Sequence, residues 1–230
     1  MGATLATVPP DAVIPVLIVP VLADAERLYE MIRSINHPVD TLVVIDNGAP
    51  VSRHRLNELN RTHVGRRYLL QMPSNLGVAT SWNLGIKATP FAPWWLVANF
   101  DVIWLIESLE RFAAEAGPDR LLLSGGAPPW CAFAIGEQVV SKVGLFDEGL
   151  HPAYWEDIDY RRRCDALGVQ VVESDIDVFH SNSSTLAAGY HRQNLRSFAP
   201  NAERATLRAA RGDMSNGEWS LEARRALSWD

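Results

Sequence analysis

Acidic and basic side chains are concentrated in one short segment, residues 154–163, which opens with Tyr154 and Trp155. Three carboxylates and three guanidiniums follow within the segment. A carboxylate beside aromatic side chains suits a general base that removes a proton from a bound hydroxyl. Two further groups, Asp101 upstream and His180 downstream, come at the ends of apolar runs that predict strands. A base together with a carboxylate and an imidazole indicates metal-assisted group transfer.

Asp157 is the candidate base, and two interpretations of its carboxylate compete. If a helix begins near Trp155, Asp157 lies in its first turn, where the positive end of the helix dipole favours the ionised form. Alternatively, acids pair with arginines four residues later, Asp157 with Arg161 and Asp159 with Arg163. Such a helical pair contributes only about 0.2 to 0.5 kcal/mol. We favour catalysis for Asp157 and the ion pair for Asp159.

Short apolar runs alternate with segments of helical periodicity in the first half of the chain. Strands are predicted at residues 13–19, 41–45, 67–71, 94–98 and 120–123, and helices at residues 24–35, 51–60, 78–87 and 104–116. This alternation predicts an α/β fold with a mostly parallel sheet flanked by helices, which binds ligands at the carboxyl ends of its strands. Beyond Thr185 the sequence predicts a helical tail, whose arginines we interpret as a solvated face.

Composition limits the class of partner and the compartment. The 230 residues, 47% of them hydrophobic, suit one domain with a full core, and the net charge of -6 gives no general attraction to nucleic acid or anionic lipid. Cys131 and Cys164 match no metal-binding spacing, which is typical of a reduced cytosolic protein. The apolar residues 13–20 are too few to span a bilayer. The sequence therefore predicts a cytoplasmic protein without a transmembrane segment, while a peripheral position at a membrane and an oligomer both stay open.

Six parts of the chain follow one another in the order of a known family's motifs. They are Ile18-Val19-Pro20-Val21, Val44-Ile45-Asp46-Asn47-Gly48, residues 75–79 with 83–86, Asn99-Phe100-Asp101, residues 143–148 and residues 155–159. Together they resemble the inverting GT-A nucleotide-sugar glycosyltransferases of the family 2 type, especially the rhamnosyltransferase-like members, over roughly residues 13–185. The resemblance implies a GT-A (Rossmann-like) catalytic domain at 1–185, with a nucleotide-sugar-binding half at 1–101, an acceptor-binding half at 102–185 and a helical C-terminal extension at 186–230.

By resemblance, the first half binds a nucleoside diphosphate sugar, UDP- or dTDP-linked. The residues implied in donor binding are Pro20, Val21, Asp46, Asn75, Gly77, Asn83, Asn99 and Asp101. An aspartate at a strand end can accept hydrogen bonds from a base or a ribose hydroxyl, and a glycine permits a close approach of the backbone. The alternative stays open that residues 46–48 form only a turn and that Asn75 and Gly77 cap a helix.

The resemblance also implies a divalent cation, Mn²⁺ or Mg²⁺, held by Asp101 and His180. Asp101 takes the last position of the family's DxD element, whose first carboxylate is here Asn99, and His180 matches a histidine that completes the coordination sphere. Carboxylate and diphosphate oxygens suit these hard cations, and the imidazole favours Mn²⁺. Asp101 as a helix cap and His180 as a core histidine are the alternatives.

Asp157 matches the family's catalytic base, the second acid of a Glu-Asp pair. The resemblance as a whole implies a hexosyltransferase. Glu156, the other catalytic candidate, could orient the donor sugar. Tyr154 and Trp155 could supply an apolar wall and a stacking face for a sugar ring. Trp130 follows the Gly/Pro-rich loop at residues 124–129 and is our candidate for stacking on the acceptor, although glycines there could serve only to reverse the chain.

Two rival functions come from other classes of protein. A sugar-phosphate nucleotidyltransferase would carry a Gly-rich, basic loop after the first strand, and none is visible between Pro20 and Glu30. A non-catalytic sugar-nucleotide-binding module stays open because Asn99 replaces an acid. The acceptor is not readable from the sequence, and a glycan, a lipid-linked glycan, a protein and modified DNA all stay open.

Overall fold

The computed structural model describes residues 12–126, 128–181, 190–214 and 219–226. Nine strands are present in these ranges: β1 Ile14–Val21, β2 Val39–Asp46, β3 Val64–Gln71, β4 Trp94–Ala98, β5 Val102–Trp104, β6 Arg120–Leu123, β7 Ala132–Gly136, β8 Gln170–Glu173 and β9 Val178–His180. Eight α-helices accompany them: α1 Ala25–Ser34, α2 Arg53–Glu58, α3 Val78–Ala88, α4 Ser108–Glu115, α5 Glu137–Val143, α6 Glu156–Ala166, α7 His191–Ala210 and α8 Leu221–Ala226. None of these helices combines the length and apolar character needed to cross a bilayer.

Seven strands form one mixed sheet in the order β3-β2-β1-β4-β7-β6-β8. The strands from β3 to β4 run parallel, β7 runs antiparallel to both β4 and β6, and β8 is parallel to β6. Successive residues of a strand face opposite sides, so Leu17 and Ile18 enter separate apolar cores. One core also takes the buried face of α1, and the other that of α3. The predicted α/β fold with a mostly parallel, helix-flanked sheet is confirmed.

The predicted helix at 104–116 is wrong in its first residues, because residues 102–104 form a strand. They form β5, which pairs antiparallel with β9 in a separate two-stranded sheet, and the helix begins only at Ser108. The apolar run at this point resembles a helix start, but its partner strand lies far along the chain. Local periodicity therefore could not identify it. The sequence patterns did not predict β7, β8 or α5 either.

Helix α7 packs one stripe of its surface against the loop that precedes α6. The Asn201 side chain donates to the backbone carbonyls of Ala153 and Tyr154, at 2.9 and 3.1 Å. Arg204 and Arg208 both bind the buried carboxylate of Asp147. The interpretation of the tail arginines as a solvated face is thus wrong for Arg208, which is 8% exposed. Residues 186–189, where the predicted tail begins, lie outside the described ranges.

Asp147 supplies a testable contribution to stability. Burial alone would raise the pKa of this carboxyl, but Arg204, the Gly149 N–H and Arg208 together lower it to about 2. Because the folded-state pKa is depressed, the stabilisation is present above the unfolded value near 4 and is lost as pH falls towards 2.

We expect Asp147→Asn to lower the free energy of unfolding at pH 7 by roughly 2 kcal/mol and to weaken the loss of stability on acidification between pH 4 and 2. Urea unfolding across that pH range measures both effects. Glu58→Gln removes an exposed partner of Arg61 and should change stability little. Equal effects of the two substitutions would contradict this role of Asp147.

Candidate active site

A cavity of about 290 Å³ opens at the carboxyl ends of the central strands. Its walls come from the end of β1, from the loops that follow β2, β3 and β4, and from the start of α6. Ligands of open α/β sheets bind in this position because several strand ends converge there. Eleven of the predicted site residues line this one cavity: Pro20, Val21, Asn75, Gly77, Asn99, Asp101, Trp130, Tyr154, Glu156, Asp157 and His180.

Asp46 does not line the cavity, although it ends β2. Its carboxylate accepts hydrogen bonds from the backbone N–H groups of Gly48, Ala49 and Val51, at 2.6 to 3.0 Å. Burial opposes ionisation, but these bonds leave the pKa of Asp46 below its usual value. The carboxylate therefore shapes the turn after β2, which is the alternative that the sequence analysis left open for residues 46–48.

Asn47, the residue after Asp46, lines the cavity, whereas Asp46 does not. Its amide nitrogen donates to the Ser81 hydroxyl at 2.8 Å, and its side-chain oxygen accepts from the Leu76 N–H at 3.1 Å. Asn47 thus joins the loop after β2 to the start of α3. Asn47 was not among the predicted site residues, because an Asp-Asn-Gly run is typical of a turn.

Two further predicted site residues also have other roles. Asn83 exchanges hydrogen bonds with the backbone of Phe146, each at 2.9 Å, and so joins α3 to the loop after α5. Trp155 precedes α6 in a left-handed conformation, with φ of 79°, and packs against Phe198 of α7 at 5.6 Å between ring centroids. Neither residue lines the cavity.

Gly77 begins α3 and forms a narrow part of the wall. Its φ of +82° belongs to the left-handed region, and an added β-carbon would lie 2.7 Å from Nδ1 of His151 and 2.9 Å from the Pro152 carbonyl oxygen. Any side chain would therefore clash or displace the loop before α6. The absence of a side chain lets the two loops approach each other beside the cavity.

Strand pairing brings Asp101 and His180 together. Val102 of β5 lies opposite His180 of β9, and the Ser181 N–H donates to the Asp101 carbonyl oxygen at 3.2 Å. The His180 Nε2 then lies 3.1 Å from Asp101 Oδ1 and 3.3 Å from the Asn99 amide nitrogen. Since residues 102–104 form a strand, the alternative of Asp101 as the N-cap of a helix is wrong.

The donor atoms of Asp101 and His180 fit two neighbouring positions around a small divalent cation. Ligands about 2.1 Å from an octahedral ion, at right angles, are about 3.0 Å apart, close to the observed 3.1 Å. Within the described residues, no group of three or more acidic, histidine or cysteine side chains could hold a metal. Such an ion would therefore need further oxygens from a bound ligand, for example a diphosphate.

Helix α6 presents two carboxyl groups to the cavity from its first turn. Burial, and the neighbouring Asp157, raise the pKa of Glu156 to about 8. Burial also raises the pKa of Asp157, although backbone N–H groups at the helix start, including that of Ile158, oppose it. The helix dipole alone would favour ionisation of Asp157, but the cost of burial outweighs it. A base with a raised pKa is better matched to proton transfer near neutral pH.

Among the described residues, no arginine forms an ion pair with Glu156 or Asp157. Arg161 binds Asp165 and Glu173 instead of Asp157. The predicted pair of Asp159 with Arg163 is confirmed, with a distance of 2.8 Å between two fully buried side chains. The ion-pair interpretation therefore holds for Asp159 and is wrong for Asp157.

Several cavity residues were not anticipated from the sequence. Besides Asn47 they are Leu22, Val78, Trp82, Phe100, Pro128, Pro152 and Ala153. Trp82 is the most informative, because it is a large side chain at helical spacing that a sequence pattern assigns to the core. It packs beside Phe133 and Phe146 and also borders the cavity.

Solved structures share this arrangement of strands and helices. The match with the S. aureus protein TarS covers 91% of this chain and 41% of the TarS chain, with a TM-score of 0.61 and 14% sequence identity. GalNAc-T7 was solved with UDP, GalNAc and Mn²⁺. Its match covers 74% of this chain and 44% of the GalNAc-T7 chain, with a TM-score of 0.57 and 12% sequence identity. The chain has the GT-A fold. The fold class implied by the family resemblance is therefore confirmed.

A curated relative of this GT-A chain is a galactofuranosyl glycosyltransferase of Leishmania donovani. The two are 22% identical over 291 aligned positions, which cover 93% of this chain and 66% of the relative. The chain thus spans just under two thirds of that relative, and less of the two solved proteins. No family model matches the sequence.

Proposed function

We propose that this chain is a metal-dependent, inverting glycosyltransferase that moves a sugar from a nucleoside diphosphate sugar to an acceptor hydroxyl. One observation carries the proposal: Asp157, Asp101 and His180 border a single cavity at the strand ends of a GT-A fold. These are the groups that such a transfer needs, since one must accept a proton and the others must face the leaving diphosphate.

The donor is proposed to enter with its nucleoside against the ends of β1 and β2. Pro20, Val21, Asn47, Asn75 and Gly77 form this part of the cavity. A UDP-linked sugar is favoured over a dTDP-linked one, because TarS has been solved with UDP and with UDP-GlcNAc, and GalNAc-T7 with UDP. The diphosphate would then lie near Asp101 and His180, where a bound cation would neutralise negative charge on the leaving group.

The transfer needs a base beside the acceptor hydroxyl, and Asp157 is proposed for that role. The acceptor oxygen attacks the anomeric carbon from the face opposite the diphosphate, so that the new C–O bond forms as the bond to the diphosphate breaks. The acceptor proton passes to the Asp157 carboxylate. Trp130 and Tyr154, which line the cavity with Asp157, are proposed to hold the acceptor.

A panel of nucleotide sugars tests the proposal. We expect the melting temperature to rise with one or more UDP-sugars in the presence of Mn²⁺, because a ligand that binds only the folded state stabilises it by about 2.7 kcal/mol at 100 times its Kd. The same donor should release UDP slowly without an acceptor. Stabilisation without any release of UDP would favour a non-catalytic binding module, and no stabilisation by any member would contradict the proposal.

A further inference from the structure

Two successive aromatic residues directly before α6 have a left-handed backbone. Tyr154 has φ of 77° and Trp155 has φ of 79°. Bulky side chains are outliers in this region of φ, and they persist there only where the surrounding structure holds them. Glu156 and Asp157 follow at once, in the first turn of α6. The direction in which both carboxyl groups point therefore depends on what holds this turn of the chain.

Helix α3 holds the loop just upstream of the two left-handed residues. The Val78 N–H donates to the Pro152 carbonyl oxygen at 2.8 Å, and an added β-carbon on Gly77 would lie 3.2 Å from the Pro152 Cα. The loop is thus fixed against the start of α3 at this point. The contact comes before Tyr154, however, so the conformation of residues 154 and 155 has to be fixed from elsewhere.

Helix α7 supplies the contacts to the left-handed residues themselves. Asn201 is 4% exposed, and its amide nitrogen donates to the carbonyls of Ala153 and Tyr154, at 2.9 and 3.1 Å. These carbonyls belong to the peptide planes on the two sides of Tyr154, so the bonds fix both of its backbone angles. Phe198 packs against the rings of Tyr154 and Trp155, at 5.7 and 5.6 Å between centroids. One face of α7 therefore holds the turn by its backbone and by its side chains.

Helix α7 is itself anchored at a second place. Arg204 and Arg208 bind the carboxylate of Asp147, which lies in the loop after α5. This carboxylate is 5% exposed and belongs to the body of the domain. Asn201 and Phe198 thus hold the turn from a helix whose position does not depend on the turn alone.

We propose that Asn201 and Phe198 are positioning residues, which direct the base Asp157 into the cavity by holding residues 153–155 in their left-handed conformation. This inference rests on the proposed function. Neither residue is among those that border the cavity, so both act through the turn. Relaxation of the turn would reorient the start of α6 and move the Asp157 carboxylate, and a displacement of about 1 Å can lower a rate about 10²-fold.

Asn201→Ala tests this role, because it removes both hydrogen bonds and keeps a residue that favours a helix. The probe is the UDP-sugar that gives the largest melting shift, with water as the acceptor, and the release of UDP gives kcat and KM. We expect kcat to fall at least about tenfold. The KM for the donor and the Kd of UDP should stay within about twofold, because the nucleoside end of the cavity is formed by other elements.

Arg204→Ala is the matched control for Asn201→Ala. Arg204 lies one turn later on α7 and donates to Asp147, at 2.8 and 2.9 Å, instead of to the turn. Both variants should lower the melting temperature, but the kcat of Arg204→Ala should stay within about twofold of that of the unaltered chain. Equal losses of kcat in the two variants, or no loss in Asn201→Ala, would overturn the positioning role.

Phe198→Ala probes the same turn with little risk to folding, because Phe198 is 48% exposed. We expect its kcat to fall about threefold. Leu207→Ala, which alters a side chain on the same helix that is 46% exposed, should leave kcat unchanged. If the two variants have the same kcat, the contact of Phe198 with the turn has no part in catalysis and this half of the proposal is overturned.

Amide hydrogen exchange gives a readout that does not depend on turnover. Exchange in residues 153–158 should become faster in Asn201→Ala and stay unchanged in Arg204→Ala, because only the first variant releases the turn. Unchanged exchange in Asn201→Ala would overturn the positioning role and leave the proposed function standing. Absence of UDP release from every UDP-sugar by the unaltered chain would instead overturn the proposed function, and the positioning of a base with it.

Discussion

Asp157→Asn is expected to lower the rate of sugar transfer about 10³-fold while the affinity for UDP stays within a few fold. A general base contributes typically about 10² to 10⁴ in rate, and an asparagine amide cannot accept the acceptor's proton. The side chains have nearly the same volume, so the start of α6 should be preserved. The rate is measured as acceptor-dependent release of UDP, and the affinity by calorimetry.

Asp165→Asn is the control for this substitution. Asp165 lies on the same helix and binds Arg161, with its side chain 59% exposed, and it does not border the cavity. Its loss should leave the rate near that of the unaltered chain. Transfer at an undiminished rate by Asp157→Asn would exclude Asp157 as the base and would direct attention to Glu156, the other carboxyl on this wall.

Burial gives Asp157 a higher pKa than its position at a helix start alone suggests. The first turn of a helix lowers the pKa of a carboxyl, and backbone N–H groups do act on Asp157 in this sense. The cavity wall removes enough water for the net effect to be a raised pKa. Periodicity in a sequence indicates that a helix begins here, but the depth of the surrounding wall depends on loops that converge from elsewhere.

The fold was predictable wherever local pattern and long-range pairing agree. The strands β1, β2 and β4 are buried on both faces, and their continuous apolar runs identify them. Strand β5 was missed because three residues carry too little periodicity, and its identity depends on pairing with β9. The alternation of strands and helices predicted a ligand site at the carboxyl ends of the strands, and the cavity lies there.

Site residues were predictable where the residue type and its position at a strand end together indicate ligand binding. Carboxylates and an imidazole at strand ends, such as Asp101 and His180, suggested a ligand site. The same argument placed Asp46 with the donor, although its carboxylate is occupied by three backbone N–H groups of its own turn. Trp82 was missed for the opposite reason, since an aromatic residue at helical spacing reads as core, and its unpartnered N–H appears only in three dimensions.

Removal of divalent cations with EDTA is expected to abolish transfer, and Mn²⁺ or Mg²⁺ should restore it, with Mn²⁺ the more effective because one ligand is an imidazole. Asp101→Asn and His180→Ala should each lower activity by about 10² or more, because an uncompensated charge then develops on the leaving diphosphate. Full activity in EDTA would remove both residues from the metal role.

A readout besides activity separates metal binding from a structural role for this pair. With only two protein ligands, Mn²⁺ should bind weakly to the chain alone and much more tightly with UDP present, as electron paramagnetic resonance of free Mn²⁺ can measure. Asn99→Asp would add a carboxylate 3.3 Å from His180 Nε2, where an amide nitrogen now lies. This substitution should strengthen Mn²⁺ binding without UDP, whereas Asp119→Asn, on the exposed surface beside Arg120, should change nothing. If Asn99→Asp leaves Mn²⁺ affinity unaltered, the contact between Asp101 and His180 is an ordinary hydrogen bond, and the leaving group must be stabilised by other means.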